Sequence, residues 1–301
     1  MSKGAPNPVI KQVMTEQGQG PETRQRIFAE LEKELKRPVV SFVTSFKFPV
    51  MIEDTDADML EGVLQKMDLS KGLALMISSP GGLGVTAERI INICRNYSGT
   101  GEYWALVPSK AKSAATMICF GASKIIMGGT SELGPIGPQL TTSEKDVVKR
   151  FSLYNVVESY DGLFEKAVKE KGNLQPYLQQ LAHYDEREIK EFRAAISLSE
   201  DIAIRSLSTG MMKEVSEDDI RDKIEIFLNP KETKAHGRPI YAKEALGSGL
   251  TIKLEDTRGR FWELLYELYI RTDNLVSTKA AKCIESYEHS FTATIKKEEG
   301  K

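Results

Sequence analysis

Two short stretches of this sequence combine residue types that could hold a negative charge and attack a carbonyl. The first is Ser78–Gly82, which reads Ser-Ser-Pro-Gly-Gly and follows the apolar segment Leu73–Ile77. Apolar side chains then recur every three or four positions, which is typical of one helix face. The paired glycines therefore lie on a predicted strand-to-helix turn. Backbone N–H groups at such a turn can bind a phosphate or the oxyanion of acyl transfer.

The second stretch is Ser113–Thr116, which follows the apolar segment Tyr103–Val107 and a polar turn. Ser113 lies 31 residues after Gly82 and begins a predicted helix of small residues. The helix dipole would stabilise a developing negative charge at this position. A serine there is also a common N-cap, and glycines often serve only to allow a turn with positive φ. Both the catalytic and the structural interpretations stay open from these residues alone.

Composition excludes several function classes. The 301 residues contain 41 Lys and Arg against 43 Asp and Glu, so no charge excess favours nucleic acid or anionic lipid. No apolar run approaches the roughly 20 residues of a membrane span. The first 21 residues lack the apolar core of a signal peptide, and three cysteines are an odd number, so we expect a cytoplasmic location. No Cys or His spacing is typical of a zinc site, and we predict neither a metal nor a cofactor.

The order of predicted elements indicates an α/β fold. Strands alternate with helices over residues 22–140, which predicts a mostly parallel sheet covered on both faces. Ligands bind at the carboxyl ends of such strands, where both turns lie. We predict a disordered lead over residues 1–20, a main domain over 21–255 and a helical extension over 256–301. The extension is expected to contain two amphipathic helices, the second from Leu275 to about Ile295.

Four motifs in this order resemble the peptidases of the Clp protease/crotonase superfold, and in particular the serine dehydrogenase proteinases. The motifs are Ser79–Gly82, Lys112–Met117, Leu133–Gln139 and His236–Ile240, and the resemblance covers roughly residues 22–255. It implies stacked βαβ units, a serine-type peptidase (a hydrolase) that acts on peptides or unfolded proteins, and assembly into a homo-oligomer. It also implies that Ser113 is the nucleophile and that Gly81, Gly82 and Ala114 form the oxyanion hole.

The general base departs from the Clp pattern. The Clp subunit carries its histidine in a segment that corresponds here to Leu133–Gln139, which contains no titratable side chain. His236 and Lys149 are the two replacements. An imidazole ordinarily has a pKa near 6.5. A lysine can act as a base at neutral pH only if burial lowers its pKa from about 10.4 to about 7–8. We prefer His236 and keep Lys149, 36 residues after Ser113, as the competitor.

Two other functions fit the same fold. A crotonase-type acyl-CoA enzyme would use the paired amides without a serine nucleophile, with Glu132 as the nearest acidic candidate. A catalytically silent scaffold would need no base. The apolar faces of the C-terminal helices further predict self-association through Phe261, Trp262, Leu265, Tyr266 and Tyr269.

Overall fold

A seven-stranded sheet lies at the centre of the chain in the computed structural model, which describes residues 8–16, 20–144 and 147–294. The strands are β1 Val39–Thr44, β2 Leu73–Ser78, β3 Tyr103–Val107, β4 Lys110–Ala111, β5 Lys124–Met127, β6 Glu132–Leu133, β7 Gln139–Glu144, β8 Val147–Ser152, β9 Ile240–Tyr241, β10 Ile252–Leu254, β11 Lys282–Glu285 and β12 Ser290–Ala293. The helices are α1 Val9–Thr15, α2 Glu22–Leu35, α3 Asp54–Leu64, α4 Gly84–Tyr97, α5 Ala114–Phe120, α6 Leu153–Lys169, α7 Gln175–Leu181, α8 Glu186–Ser208, α9 Glu217–Lys223, α10 Glu225–Leu228, α11 Pro230–Thr233, α12 Ala242–Gly247 and α13 Arg260–Thr278.

The sheet is mostly parallel, as the alternation of strands and helices predicts. Its strand order is β10-β5-β3-β2-β1-β11-β12, and neighbours from β10 to β1 run parallel. Every residue of β1 and β2 is buried, as expected for central strands of a sheet covered on both faces. The predicted α/β fold class is therefore confirmed.

Two apolar cores flank the sheet. One contains side chains of α3, α4 and α5, and the other contains side chains of α2 and α13. On the first side, the small sheet β4-β6-β9 joins residues that lie far apart in the chain. Strand β4 ends two residues before Ser113, so this small sheet helps to position that serine.

The C-terminal prediction of two helices is wrong in its second half. Helix α13 ends at Thr278, and β11 and β12 follow as a hairpin whose first strand pairs antiparallel with β1. The hairpin satisfies the N–H and C=O groups of β1 that would otherwise form an open sheet edge. A buried ion pair also holds it, since Arg24 Nε lies 2.5 Å from Glu285 Oε2 and both side chains are 1% exposed.

Helix α13 does not present the predicted apolar surface. Trp262, Leu264, Leu265 and Leu268 are buried within the chain, where α13 packs against α2 and β1. Only Tyr266 among the large side chains named from the sequence is exposed. The apolar face of α13 therefore completes the chain's own core.

One further sequence prediction needs correction. Residues 9–15 of the predicted disordered lead form α1, which buries Val13 and contacts α13, while residues 1–7 and 17–19 lie outside the described residues. Between the small sheet and α6, strands β7 and β8 form a hairpin. No helix in the described ranges is both long and apolar enough to cross a membrane.

Candidate active site

Backbone hydrogen bonds bring the two special turns together. The Ser79 N–H donates to Lys110 O at 3.1 Å, and the Lys112 N–H donates to Ser79 O at 3.0 Å. Ser79 and Ala111, which are 32 residues apart in the chain, thus form a parallel bridge. Since the contact uses only main-chain atoms, the distance between the turns is fixed by the fold.

Gly81 lies directly against Ser113. Its φ is +103°, a conformation that residues with a Cβ rarely adopt. A methyl group placed on Gly81 would lie 2.6 Å from Lys112 O, 2.7 Å from Ser113 Cβ and 3.1 Å from the Ala114 nitrogen. Glycine is therefore required here both for its conformation and for the close approach of the serine.

If Ser113 is the nucleophile that the sequence predicts, Gly81→Ala should lower peptide hydrolysis on the order of 10²–10³-fold, because the added methyl group moves Ser113 relative to the amides beside it. Gly101→Ala is the matched control. Gly101 also has a positive φ, +69°, but no atom lies within 4 Å of the methyl position. Steady-state hydrolysis of a peptide substrate by both variants checks this. Equal activity losses in the two variants would show that backbone strain, and not contact with Ser113, is responsible.

Ser113 is not an N-cap in the usual sense. It precedes α5 with φ +51° and ψ −119°, and its side chain makes no capping hydrogen bond. An ordinary N-cap serine has extended backbone angles and accepts a bond from the first turn. A positive φ at a residue other than glycine stores strain, and such residues cluster at functional sites. This geometry leaves the half-buried Ser113 hydroxyl available for chemistry.

Two backbone amides beside Ser113 are free to hold an anion. Within the described residues, neither the Gly82 nor the Ala114 N–H donates a hydrogen bond. The Gly81 amide is already used, since it donates to Ser79 Oγ at 3.1 Å. Of the two glycines, only Gly82 therefore has an amide that no described group accepts from. Gly82 also admits no side chain, because a methyl group there would lie 2.2 Å from Ile52 O.

A second set of contacts supports the residues on either side of Ser113. The sequence did not predict these contacts. Thr116 Oγ1 lies 2.8 Å from Ala111 O and 3.0 Å from Gly134 O, and it accepts from the Gly134 N–H at 3.1 Å. Lys112 Nζ lies 2.8 Å from Glu132 Oε2 and donates to Leu133 O at 3.0 Å. These bonds fasten the Leu133–Gln139 segment to the helix that carries the serine. In the sequence, the only sign of these contacts is that Lys112 and Thr116 lie in one of the four motifs and Leu133 and Gly134 lie in another.

His236 lies between α11 and β9, and its surroundings differ from the sequence expectation. Burial and, less strongly, the positive charges of Lys112 and Arg150 together lower the pKa of the imidazole from 6.5 to about 4. The side chain forms no hydrogen bond with any described residue. His236 is therefore neutral at pH 7, and the residue before Ser113 is within its electrostatic range.

Lys149 is placed less favourably for a role as base. It lies on β8 opposite Thr142, in a two-stranded sheet separate from the main sheet, and its side chain is exposed. The burial that a lysine base requires is therefore absent at this position.

No metal-binding arrangement is present among the described residues, in which no group of three or more His, Cys, Asp and Glu side chains converges. Cys94, Cys119 and Cys283 are free and buried, and burial raises the pKa of the Cys94 and Cys283 thiols to about 12. These thiols are therefore protonated, which makes them poor nucleophiles and poor metal ligands.

Comparison with known proteins relates this chain to a family of peptidases. A family model described as ClpP-like SDH-type serine proteinase matches residues 23–159, which include both special turns and Lys149. An uncharacterised protein of Methanocaldococcus jannaschii is 34% identical over 103 residues. That match covers 34% of this chain and 32% of the relative, so the chain spans about a third of the length of the relative it matches.

Among solved structures, a mutant form of the 1510-N membrane-bound stomatin-specific protease is similar to this chain. The similarity covers 77% of this chain and 84% of that chain, with 15% identity and a TM-score of 0.42.

Proposed function

We propose that this chain, whose residues 23–159 match the model of the ClpP-like SDH-type serine proteinases, hydrolyses peptide bonds through an acyl-enzyme on Ser113. One observation carries the proposal. A serine with a positive φ and no capping bond starts a helix beside two free amides. A nucleophile next to preorganised oxyanion donors is the minimal equipment for acyl transfer.

The geometry supports the following sequence of steps. Ser113 Oγ attacks the scissile carbonyl carbon while the base takes its proton, and the carbonyl oxygen becomes an oxyanion. The amides of Gly82 and Ala114 donate to that oxyanion, and each such donor contributes on the order of 10²–10³ in rate. The intermediate then collapses and expels the amine, which receives the proton from the base. Water, activated by the same base, hydrolyses the ester and restores the serine.

We propose His236 as the base. It is neutral at physiological pH, half-buried and within the electrostatic field of Lys112, whereas Lys149 is exposed. A base with a pKa near 4 is fully in its proton-accepting form at pH 7, although its driving force for proton transfer is smaller than that of an ordinary imidazole.

The acyl-CoA alternative receives less support. Its nearest acidic candidate, Glu132, is held in an ion pair with Lys112 at 2.8 Å, so its carboxylate is already occupied. A silent scaffold is the alternative that the test must exclude.

A fluorophosphonate probe tests the proposal directly, because it reacts with serines that a base and an oxyanion hole activate. We expect one probe per chain on the peptide that contains Ser113, and no labelling of heat-denatured protein or of Ser113→Ala. An unlabelled native chain would favour the scaffold. A label at another serine would overturn the assignment of Ser113.

The substrate would be a peptide or an unfolded protein, and we further propose that the chain forms a homo-oligomer. Because α13 buries its apolar face internally, assembly would have to use another surface. Large apolar side chains remain exposed on α6, on α7 and at the residue before α7, namely Phe164, Val168, Leu174 and Leu178. Light scattering at micromolar concentration should give a mass above one chain, and a monomer mass would contradict this.

A further inference from the structure

A cavity of about 560 Å³ lies beside His236, at a distance from the Ser113 turn in sequence but connected to it by the Leu133–Gln139 segment. The hairpin β7–β8, helix α6 and residues 230–236 form its walls. Its volume is within the usual range of roughly 300–1,000 Å³ for ligand sites. The functional argument above uses only His236 among its lining residues.

The lining of this cavity is positively charged. Arg150, Lys234 and His236 contribute basic side chains, and no Asp or Glu is among the described residues that line it. Phe151 and Tyr184 add aromatic surface, while Gln139 contributes an amide. A space with this lining favours a ligand that is partly apolar and carries negative charge.

Arg150 and Lys234 lack counter-ions within the described residues, whereas nearby cations are paired. Arg238 Nη2 lies 2.8 Å from Glu244 Oε1, and Lys112 is paired with Glu132. For Arg150 and Lys234 no described carboxylate lies within 4 Å. Two cations that no described carboxylate pairs, beside a half-buried imidazole, create a positive field that an incoming anion would neutralise.

The cavity is joined to the candidate active site by a fixed segment of backbone. At its start, Gly134 is bonded to Thr116 and leaves room for Lys112, whose Cδ lies 2.6 Å from the position of a methyl group on Gly134. Further along, the Ile136 N–H donates to Phe227 O at 2.9 Å, and Pro138 O accepts from the Leu153 N–H at 3.0 Å. At its end, Gln139 lines the cavity. The segment therefore runs from a contact with Thr116, three residues after Ser113, to the wall of the cavity.

We propose that this cavity binds a carboxylate of the peptide substrate, with Arg150 and Lys234 as its recognition residues. The proposal rests on the peptidase function proposed above. The carboxylate is either an acidic side chain or the C-terminus of the peptide, since both offer the same planar pair of oxygens to a guanidinium. Recognition would make the enzyme selective for acidic peptides or for peptide ends.

The charges around His236 provide a second way to detect a bound carboxylate. The charged groups that act on the imidazole are Lys112 and Arg150, both positive, and Lys234 shares the cavity. A bound carboxylate opposes that field and favours the protonated imidazole. Binding should therefore raise the pKa of His236.

Binding can be measured without hydrolysis in the full chain carrying Ser113→Ala. Three fluorescent alanine hexapeptides serve as probes. The first has one glutamate and an amidated C-terminus, the second has only alanines and a free C-terminal carboxylate, and the third has glutamine and an amidated C-terminus. Fluorescence anisotropy should show at least one charged peptide binding about tenfold or more tightly than the neutral one, the factor that corresponds to a charge-assisted hydrogen bond. The charged peptide that binds more tightly identifies the source of the carboxylate.

Substitution of the cavity cations locates the site. In the same background, Arg150→Gln or Lys234→Gln should weaken binding of the charged peptide about tenfold and leave the neutral peptide unchanged. Lys190→Gln is the matched control, because Lys190 is an exposed cation on α8 outside the cavity. Equal binding of all three peptides, or equal effects of the cavity and control substitutions, would overturn the proposal.

Proton NMR provides the second readout, since the chain has only three histidines and a His236→Gln spectrum identifies the signal. The charged peptide should raise the pKa of His236, and the neutral peptide should not. If a saturating concentration of the charged peptide left the pKa of His236 unchanged, the carboxylate would bind elsewhere and the proposal would be overturned. Because these measurements do not depend on turnover, selective binding without peptidase activity would refute only the proposed function. Activity with unselective binding would refute only this inference.

Discussion

Replacing Ser113 with alanine should reduce peptide hydrolysis by a factor on the order of 10⁴–10⁶, the usual loss when a nucleophilic serine is removed. The substitution removes only Oγ, the atom proposed to form the acyl-enzyme, while the Gly82 and Ala114 amides remain. Initial rates on a quenched fluorescent peptide measure the effect. Residual activity should come only from the binding and oxyanion contributions.

The fold should survive this change, because the Ser113 side chain caps nothing and its loss leaves no described group unpaired. Relief of steric strain is small, since alanine retains the Cβ that the positive φ disfavours. The thermal midpoint should therefore stay close to that of the unmodified chain. Unchanged hydrolysis in the variant would remove Ser113 from the mechanism altogether.

His236→Gln should lower kcat on the order of 10²–10⁴-fold at pH 7, the usual cost of losing a general base. Lys149→Ala should have little effect, because its side chain is exposed on β8. A large loss in Lys149→Ala with full activity in His236→Gln would exchange the two assignments. Full activity in both variants would mean that the base is a different residue.

The pH profile of the unmodified chain tests the same assignment independently. Only the neutral imidazole accepts a proton, and the His236 pKa is lowered to about 4. The rate kcat/KM should therefore be flat from about pH 6 to 8 and fall as the pH drops towards 4. An ordinary imidazole would instead give a rise through pH 6–7. A rise near that range would show that burial does not act on the base as the structure indicates.

The same lowered pKa affects stability, with a sign that follows from proton binding. The unfolded chain takes up a proton on His236 near pH 6.5, whereas the folded chain takes it up only near pH 4. The part of the stability that depends on a neutral His236 is thus fully present above about pH 6.5 and is lost as the pH falls from there towards 4. Rates at the acidic end of the profile must therefore be measured while circular dichroism confirms the folded state.

Much of the candidate site follows from local sequence. The apolar segments before Ser78–Gly82 and Ser113 are short enough to be buried strands, and the periodicity after each turn is helical. Local sequence therefore determined both strand-to-helix turns, and with them the parallel sheet that places both at one edge. It also determined the residue types that chemistry at this edge requires, a serine beside amides that glycine leaves accessible.

Tertiary structure decided what the neighbours of these residues are. The bridge between Ser79 and Ala111 brings Gly81 against Ser113, and no periodicity encodes that contact. The charge state of His236 depends on Lys112 and Arg150, which lie more than 80 residues away in the chain. Residues 282–285 form a strand because they pair with the edge of β1 and because Glu285 forms a buried ion pair with Arg24. Local propensity determines which element a segment favours by itself. Strand pairing, burial and pKa values depend on segments that come together only in the folded chain.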